Sequence, residues 1–315
     1  MLHSFNPDQP YAGLVFDPAG NLYGTTISGG TGNGSVFRLA PNHDGSWTES
    51  VLHSFVQDGK DGWWPTSGLI FDQAGNLYGT TAYGGAYTWG IVFELNPNLD
   101  GSWTESVLHS FNDNDGGRCA AGVIIDQAGN LYGTGWYGGA HFYGIAFQLT
   151  PNGDGSWTES VLHSFNDDGM DGYQPFAGIA FDQAGNLYGT TTGGGAHGHG
   201  AVFKLTPSGD GSWKESMIHS FNNSGVGQAP SASLIFDQAG NLYGTTQDGG
   251  AYGYGTVFRL SPVNGVWKVT VLHSFQNKPG AYPYANLVLD AAGDLYGTTS
   301  GDGSTTFGSV FEITP

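Results

Sequence analysis

Two short blocks recur six times along this chain, and no reading of its fold can ignore them. The tetrapeptide Leu/Ile-His-Ser-Phe places histidines at His3, His53, His109, His163, His219 and His273, at intervals of 50, 56, 54, 56 and 54 residues. A second block, Asp-x-x-Gly-Asn/Asp-Leu-Tyr-Gly-Thr, begins at Asp17, Asp72, Asp126, Asp182, Asp237 and Asp290. Repetition at such a period marks one supersecondary unit that cannot bury its apolar face alone and must pack against its neighbours.

One period reads as four strands. Residues 68–71 are apolar, and Asp72-Gln73-Ala74-Gly75-Asn76 is a hairpin in which Gly75 supplies the positive φ that such a loop requires. Residues 77–81 form a second strand. After the glycine-rich stretch 84–90, residues 91–95 carry the β-branched and apolar content of a third. Asp100-Gly101 is turn chemistry, and residues 103–111 make the fourth. Four short strands per period of about 54 residues is one blade of a β-propeller. The chain opens inside a fourth strand, residues 1–5, and stops after a third, 309–313, so each end supplies what the other lacks. The fold class expected is all-β: a single domain over 1–315, a six-bladed propeller with four antiparallel strands per blade. Its ring is closed by the N-terminal strand completing the last blade, which avoids a long unpaired edge.

Composition excludes several functions. With 8 basic against 27 acidic residues and a formal net charge of −19, nothing gathers Lys or Arg into a patch that neutralises phosphates, so no nucleic acid is expected as partner. No apolar run approaches the ~18 residues of a membrane span, so no membrane insertion is expected. No export signal follows Met1 and no anchor is apparent. Cys119 stands alone, which rules out an internal disulfide.

In these blocks, and in the Gly-Gly-Ala-x-x-x-Gly-x-Val-Phe stretches between them, the sequence resembles the Gloeo/Verruco (GloVer) tandem-repeat family over nearly its whole length. The Asp-x-x-Gly-Asn-Leu-Tyr core is also similar to NHL-type six-bladed propellers. The family resemblance implies bacterial origin and extracellular or cell-surface display. It brings no catalytic motif with it.

The repeated His and Asp residues read as framework. Alternation puts Val51, His53 and Phe55 on one face, with Asp72 or the hydroxyls of Thr80 and Thr81 as partners for the imidazole. Asp72 and its equivalents suit hairpin capping. Function belongs where copies differ, in the loops joining fourth to first and second to third strands. One slot of the second-to-third loops holds Tyr87, His141, His197 and Tyr252; two residues later stand Trp89, Tyr143, His199 and Tyr254, with Phe307 similar. Adding Trp63, Trp64 and Trp136 gives the ligand-binding set expected here.

Flat rings offer area to the C–H face of a sugar at low entropic cost, and the negative charge favours a neutral glycan or small ligand over an anionic one. A lectin-like, monomeric binding module is therefore the first reading. A carbohydrate-active enzyme is the second, with carboxylates drawn from Asp61, Asp115, Asp168 or Asp171, or with Arg118, His141 and Tyr143 as a lyase cluster; no catalytic residue is assigned. A surface-displayed scaffold with a protein partner is the third. No cofactor and no metal are expected. Calcium at Asp113-Asn114-Asp115 or Asp167-Asp168 with Asp171, and a transition metal at His141, His197 and His199, are weaker variants.

Overall fold

A computed structural model describes residues 2–5, 8–222, 225–301 and 308–315. Met1 and Phe307, both used in the sequence reading, lie outside them. Among the described residues all regular structure is β-strand, and no helix is long and apolar enough to cross a membrane. The strands form six small antiparallel blade sheets, and the chain is a six-bladed β-propeller. It divides into two compact units, residues 1–161 and 162–315, with the boundary inside the strand Trp157–Ser164.

The second blade shows the pattern. Ile70–Phe71, Leu77–Thr80, Ile91–Pro97 and Trp103–Ser110 lie side by side in chain order; we call these positions strands a to d. Strand a is two residues long, shorter than the sequence implies. The a–b hairpin is held by Asp72, whose carboxylate accepts from the amides of Ala74 and Asn76, the Asn76 side chain and the Tyr78 hydroxyl. The capping role expected of this aspartate is therefore what the structure shows.

Strand d departs from simple alternation. In the first blade His53 pairs with Val36 but Val51 with Phe37, so Leu52 is an extra residue in a β-bulge. The same step recurs between Val107 and His109, Met217 and His219, and Val271 and His273. The bulge separates residues expected on one face: Val51 is 50% exposed while Phe55 is fully buried.

What the bulge achieves is packing between successive blades. Phe55 meets Phe93 of the next blade edge-on with ring centroids 5.2 Å apart, and Phe111 meets Phe147 at 5.0 Å. In the second unit Phe165–Phe203, Phe221–Phe258 and Phe275–Phe311 repeat the contact at 4.9, 5.2 and 5.0 Å. Each strand-c ring also lies on the bare Cα of a strand-b glycine. A Cβ on Gly133 would stand 2.6 Å from Cζ of Phe147, and one on Gly79 would stand 2.5 Å from Cζ of Phe93. Leu-Tyr-Gly-Thr and Leu-His-Ser-Phe thus recur for one reason, because they are the two sides of the same aromatic layer.

The N-terminal segment joins this scheme from the first blade's side. Phe5 packs on Phe37 at 4.7 Å as other strand-d phenylalanines pack on the blade that follows, and His3 reaches Glu49 at 2.9 Å. Leu2–Phe5 carries no strand pairing among the described residues. The sixth blade's own chain provides Val288–Leu289, Leu295–Gly301 and Val310–Ile313, with Ala281–Pro283 also paired to the middle strand. Val310 is 79% exposed where Val36, Val92, Val202 and Val257 are fully buried, so the outer side of this blade is less covered than the others.

Removing the ring in Phe147→Ala should cost about 3–5 kcal/mol, and Gly133→Ala about 1–3 kcal/mol through overpacking. In the Phe147→Ala background Gly133→Ala should be nearly neutral, because the clash has gone. A double-mutant cycle from urea unfolding midpoints checks this; simple additivity would mean that the glycine is not there to admit the ring.

Candidate functional site

Three of the d–a loops are built around an aspartate, buried in two of them and half-buried in the third. Asp61 accepts from the Val56 amide at 2.9 Å and the Gly62 amide at 2.6 Å, and its Oδ2 lies 3.1 Å from Nε2 of His53. Asp171 repeats this with His163 at 2.9 Å, and Asp115 faces His109 at 3.4 Å. The partner of the repeated histidine is therefore the loop aspartate, not Asp72 or the Thr80 and Thr81 hydroxyls. Strand periodicity cannot reveal this, because Asp61 reaches His53 through a loop that carries no period. Asp58 and Asp168 are likewise occupied, each accepting two loop amides. These carboxylates hold their own loops in shape.

A third group completes each cluster from strand d of the following blade. Glu105 has its carboxyl pushed up to about 7, first by burial and then by the charge of Asp61, against an opposing pull from His53. Burial raises Glu159 and Glu215 to about 7 as well. His53, Asp61 and Glu105 each bring one potential ligand atom within 4.8 Å of the others.

The loop ends position an aromatic group in the first unit. Gly62–Trp63 pairs with Tyr83–Gly84 in a two-stranded ribbon that the sequence reading did not anticipate, and this stacks Trp63 on Tyr83 with centroids 4.6 Å apart. Trp64 meets both rings edge-on. Trp89 stacks on Tyr137 at 5.1 Å with parallel planes, and Trp136 meets Tyr137 edge-on. Between these groups lies the Arg118 guanidinium, 5.3 Å from the Tyr83 centroid, 4.9 Å from Trp89, 5.6 Å from Trp136 and 5.6 Å from Tyr137. Its Nε is buried without a hydrogen-bond partner, and no carboxylate pairs with it among the described residues. Arg118 is expected on sequence only as part of a lyase cluster with His141 and Tyr143, and Tyr83 and Tyr137 are not expected at all, since the two tyrosines look like ordinary strand-end residues until the ribbon turns them.

Arg118 also has φ of 52°, and Trp64, Gln174, Ala229 and Tyr282 adopt the same left-handed conformation at the matching place in their loops. The backbone compensates for the strain. Arg118 N donates to the carbonyl of Trp89, Ala229 N to that of His199 and Tyr282 N to that of Tyr254, tying each loop to the preceding blade.

The two matched slots differ in use. Tyr87 and Tyr252 are exposed, 58% and 55%, as are His141 and His197, so the first slot is a loop tip in solvent. Trp89, His199 and Tyr254 are half-buried against the neighbouring loop, with Tyr254 5.7 Å from the Tyr282 ring. Tyr143 is 38% exposed and forms a bridge with Gly138. In the first unit Trp89 converges with Tyr83, Trp136 and Tyr137 on Arg118.

Six blades with variable aromatic loops define a tandem-repeat β-propeller. A family model, the Gloeobacter/Verrucomicrobia repeat, matches residues 1–180 and again 155–315, and the chain belongs to that family. No curated protein matches it. Among solved structures it is similar to a protein described as a gluconolactonase, at 19% identity over 97% of this chain and 90% of that one, with a TM-score of 0.51. It is similar to a protein of Bacteroides uniformis described as a 6-phosphogluconolactonase, at 15% identity over 89% and 74%, TM-score 0.56. An ancestral GH74 enzyme gives a TM-score of 0.63 at 12% identity, over 95% of this chain but 41% of its own. These are likenesses of fold.

The raised glutamates set a pH dependence. A carboxyl whose folded pKa lies above its unfolded value stabilises the fold fully below about 4.5 and loses that contribution as pH rises through about 7. His219 and His273 are lowered, first by burial, and act in the opposite sense near 6.5. A triple Glu105→Gln, Glu159→Gln, Glu215→Gln variant keeps those histidines. Its stability relative to the parent should climb from pH 4.5 to 7 and then level off, as read by denaturant titrations at several pH values; a flat difference would show that the glutamates ionise normally.

Proposed function

We propose that this protein is a carbohydrate-binding propeller whose ligand site is centred on Arg118 and the rings around it. The observation that carries the reading is an arginine held amid Tyr83, Trp89, Trp136 and Tyr137 with no carboxylate paired to it among the described residues. Rings of this kind present apolar faces to the C–H surfaces of a sugar, and an uncommitted guanidinium donates to its hydroxyls. The chain's net charge of −19 disfavours polyanionic glycans at long range, which leaves neutral ones as the preferred class.

Binding is favoured over hydrolysis because Asp61 and Asp171 are buried and committed to backbone amides and histidines. A glycosidase pair needs carboxylates free to exchange protons with substrate. Similarity in fold to proteins described as a gluconolactonase and a GH74 enzyme is compatible with a sugar ligand. Display outside the cell as a monomer accords with the family resemblance and the acidic surface.

A screen over neutral and uronate-bearing oligosaccharides tests this. A neutral glycan should bind, and Arg118→Ala or Trp89→Ala should weaken it at least about tenfold, roughly 1.4 kcal/mol, while Tyr252→Ala leaves it unchanged. Binding that survives both substitutions, or silence across the panel, would overturn the assignment.

A further inference from the structure

The His–Asp–Glu clusters have no part in the function just proposed. Each is assembled from three separate stretches: strand d of one blade, the loop that follows it, and strand d of the next blade. In the first cluster these give His53, Asp61 and Glu105, and equivalent residues recur as His109, Asp115 and Glu159, and as His163, Asp171 and Glu215. The aspartate precedes its glutamate by 44 residues in all three.

Two features go beyond what a loop anchor requires. First, Oε1 of Glu105, of Glu159 and of Glu215 is buried with no hydrogen-bond partner, and so is Nε2 of His109. An aspartate and a histidine would suffice to hold the loop; the glutamate brings a desolvated acceptor that the protein leaves unused. A recurring orphan of this kind calls for a ligand.

Second, at one junction both carboxylates are replaced. At the next junction His219 is retained, but Val226 stands at the aspartate position and Val269 at the glutamate position. Both valines pack against one hydrophobic cluster, and Nε2 of His219 is buried without a partner. At the first junction Glu49 holds the same strand-d position, and its Oε2 lies 2.9 Å from Nε2 of His3, so a glutamate at this position reaches the histidine that a shared ligand would also use.

The distances suit a small cation. In a tetrahedral site with metal–ligand distances near 2.1 Å, adjacent ligand atoms stand about 3.4 Å apart. The Nε2–Oδ2 separations are 3.1, 3.4 and 2.9 Å. The Asp61 carboxylate is oriented by the Val56 and Gly62 amides, the kind of outer support that fixes a ligand's direction. One imidazole with two carboxylates favours a transition ion over calcium, which takes six to eight oxygens.

We propose that His53, Asp61 and Glu105 form a zinc-class divalent metal site linking the first and second blades, with the His109 and His163 clusters as looser copies of it. Zinc would clamp two successive blades through side chains rather than through the aromatic layer. A water would fill the remaining position.

The test uses the full chain stripped with EDTA and titrated with zinc alone, followed by calorimetry, by metal analysis after dialysis and by thermal melts. The expected result is at least one tightly held zinc per chain and a rise in Tm of several degrees. Glu105→Gln, which keeps shape and folding, should weaken the tightest site at least tenfold, whereas His197→Ala with His199→Ala should leave it intact. Calcium should give no comparable shift. The proposal is overturned if no zinc is retained, or if zinc is retained equally by Glu105→Gln, which would place it on surface histidines. Circular dichroism of each variant confirms that a lost site is not a lost fold.

Discussion

The architecture depends on one aromatic layer. In each blade a strand-c phenylalanine lies on the bare backbone of a strand-b glycine, and in the second to sixth blades it takes the edge of the phenylalanine that follows the preceding strand d. Each edge-to-face pair contributes about 0.5–1.5 kcal/mol beyond the area it buries. More consequential is that the glycine, the bulge and both rings must be present together. Lengthening the glycine side chain displaces the ring, and removing the bulge turns the second ring outward. The constraint explains why the two sequence blocks vary so little among six copies while the loops between them vary freely.

Much of this was legible in the sequence. The repeat spacing indicated six blades, Gly75 and Asp72 marked the hairpin, and Trp103 marked the start of strand d. What escaped was contact across loops. Strict alternation grouped Val51 with Phe55, and only the pairing register shows Leu52 bulging between them. Strand periodicity points to partners for His53 on neighbouring strands, whereas Asp61 reaches it by folding a loop back, a geometry with no periodic signature. The aromatic residues were visible, but their convergence on Arg118 depends on a two-residue ribbon, Gly62–Trp63 with Tyr83–Gly84, too short to read from pattern.

The distribution of charge follows a related division. Asp44, Asp100, Asp154 and Asp210 sit in open turns, where hydrogen bonds from Ser46, Ser102, Ser156 and Ser212 hold their carboxyls below the usual range. The strand-d glutamates at blade junctions are driven the other way, by burial first. An acidic chain thus keeps some of its carboxylates hydrated in open turns and places others where ionisation is costly. The same residue class does opposite work at the two locations.

The left-handed residue that ends five of the d–a loops has a wider consequence. Trp64, Arg118, Gln174, Ala229 and Tyr282 share a backbone shape, and at Trp64, Arg118, Ala229 and Tyr282 a main-chain bond to the preceding loop supports it whatever the side chain is. Anchoring and chemistry are therefore uncoupled at that place. Such a position behaves as a socket: a bulky ring, a cation, an amide or a methyl group can be plugged in blade by blade, and selection can change what the surface recognises without renegotiating how the blades stack.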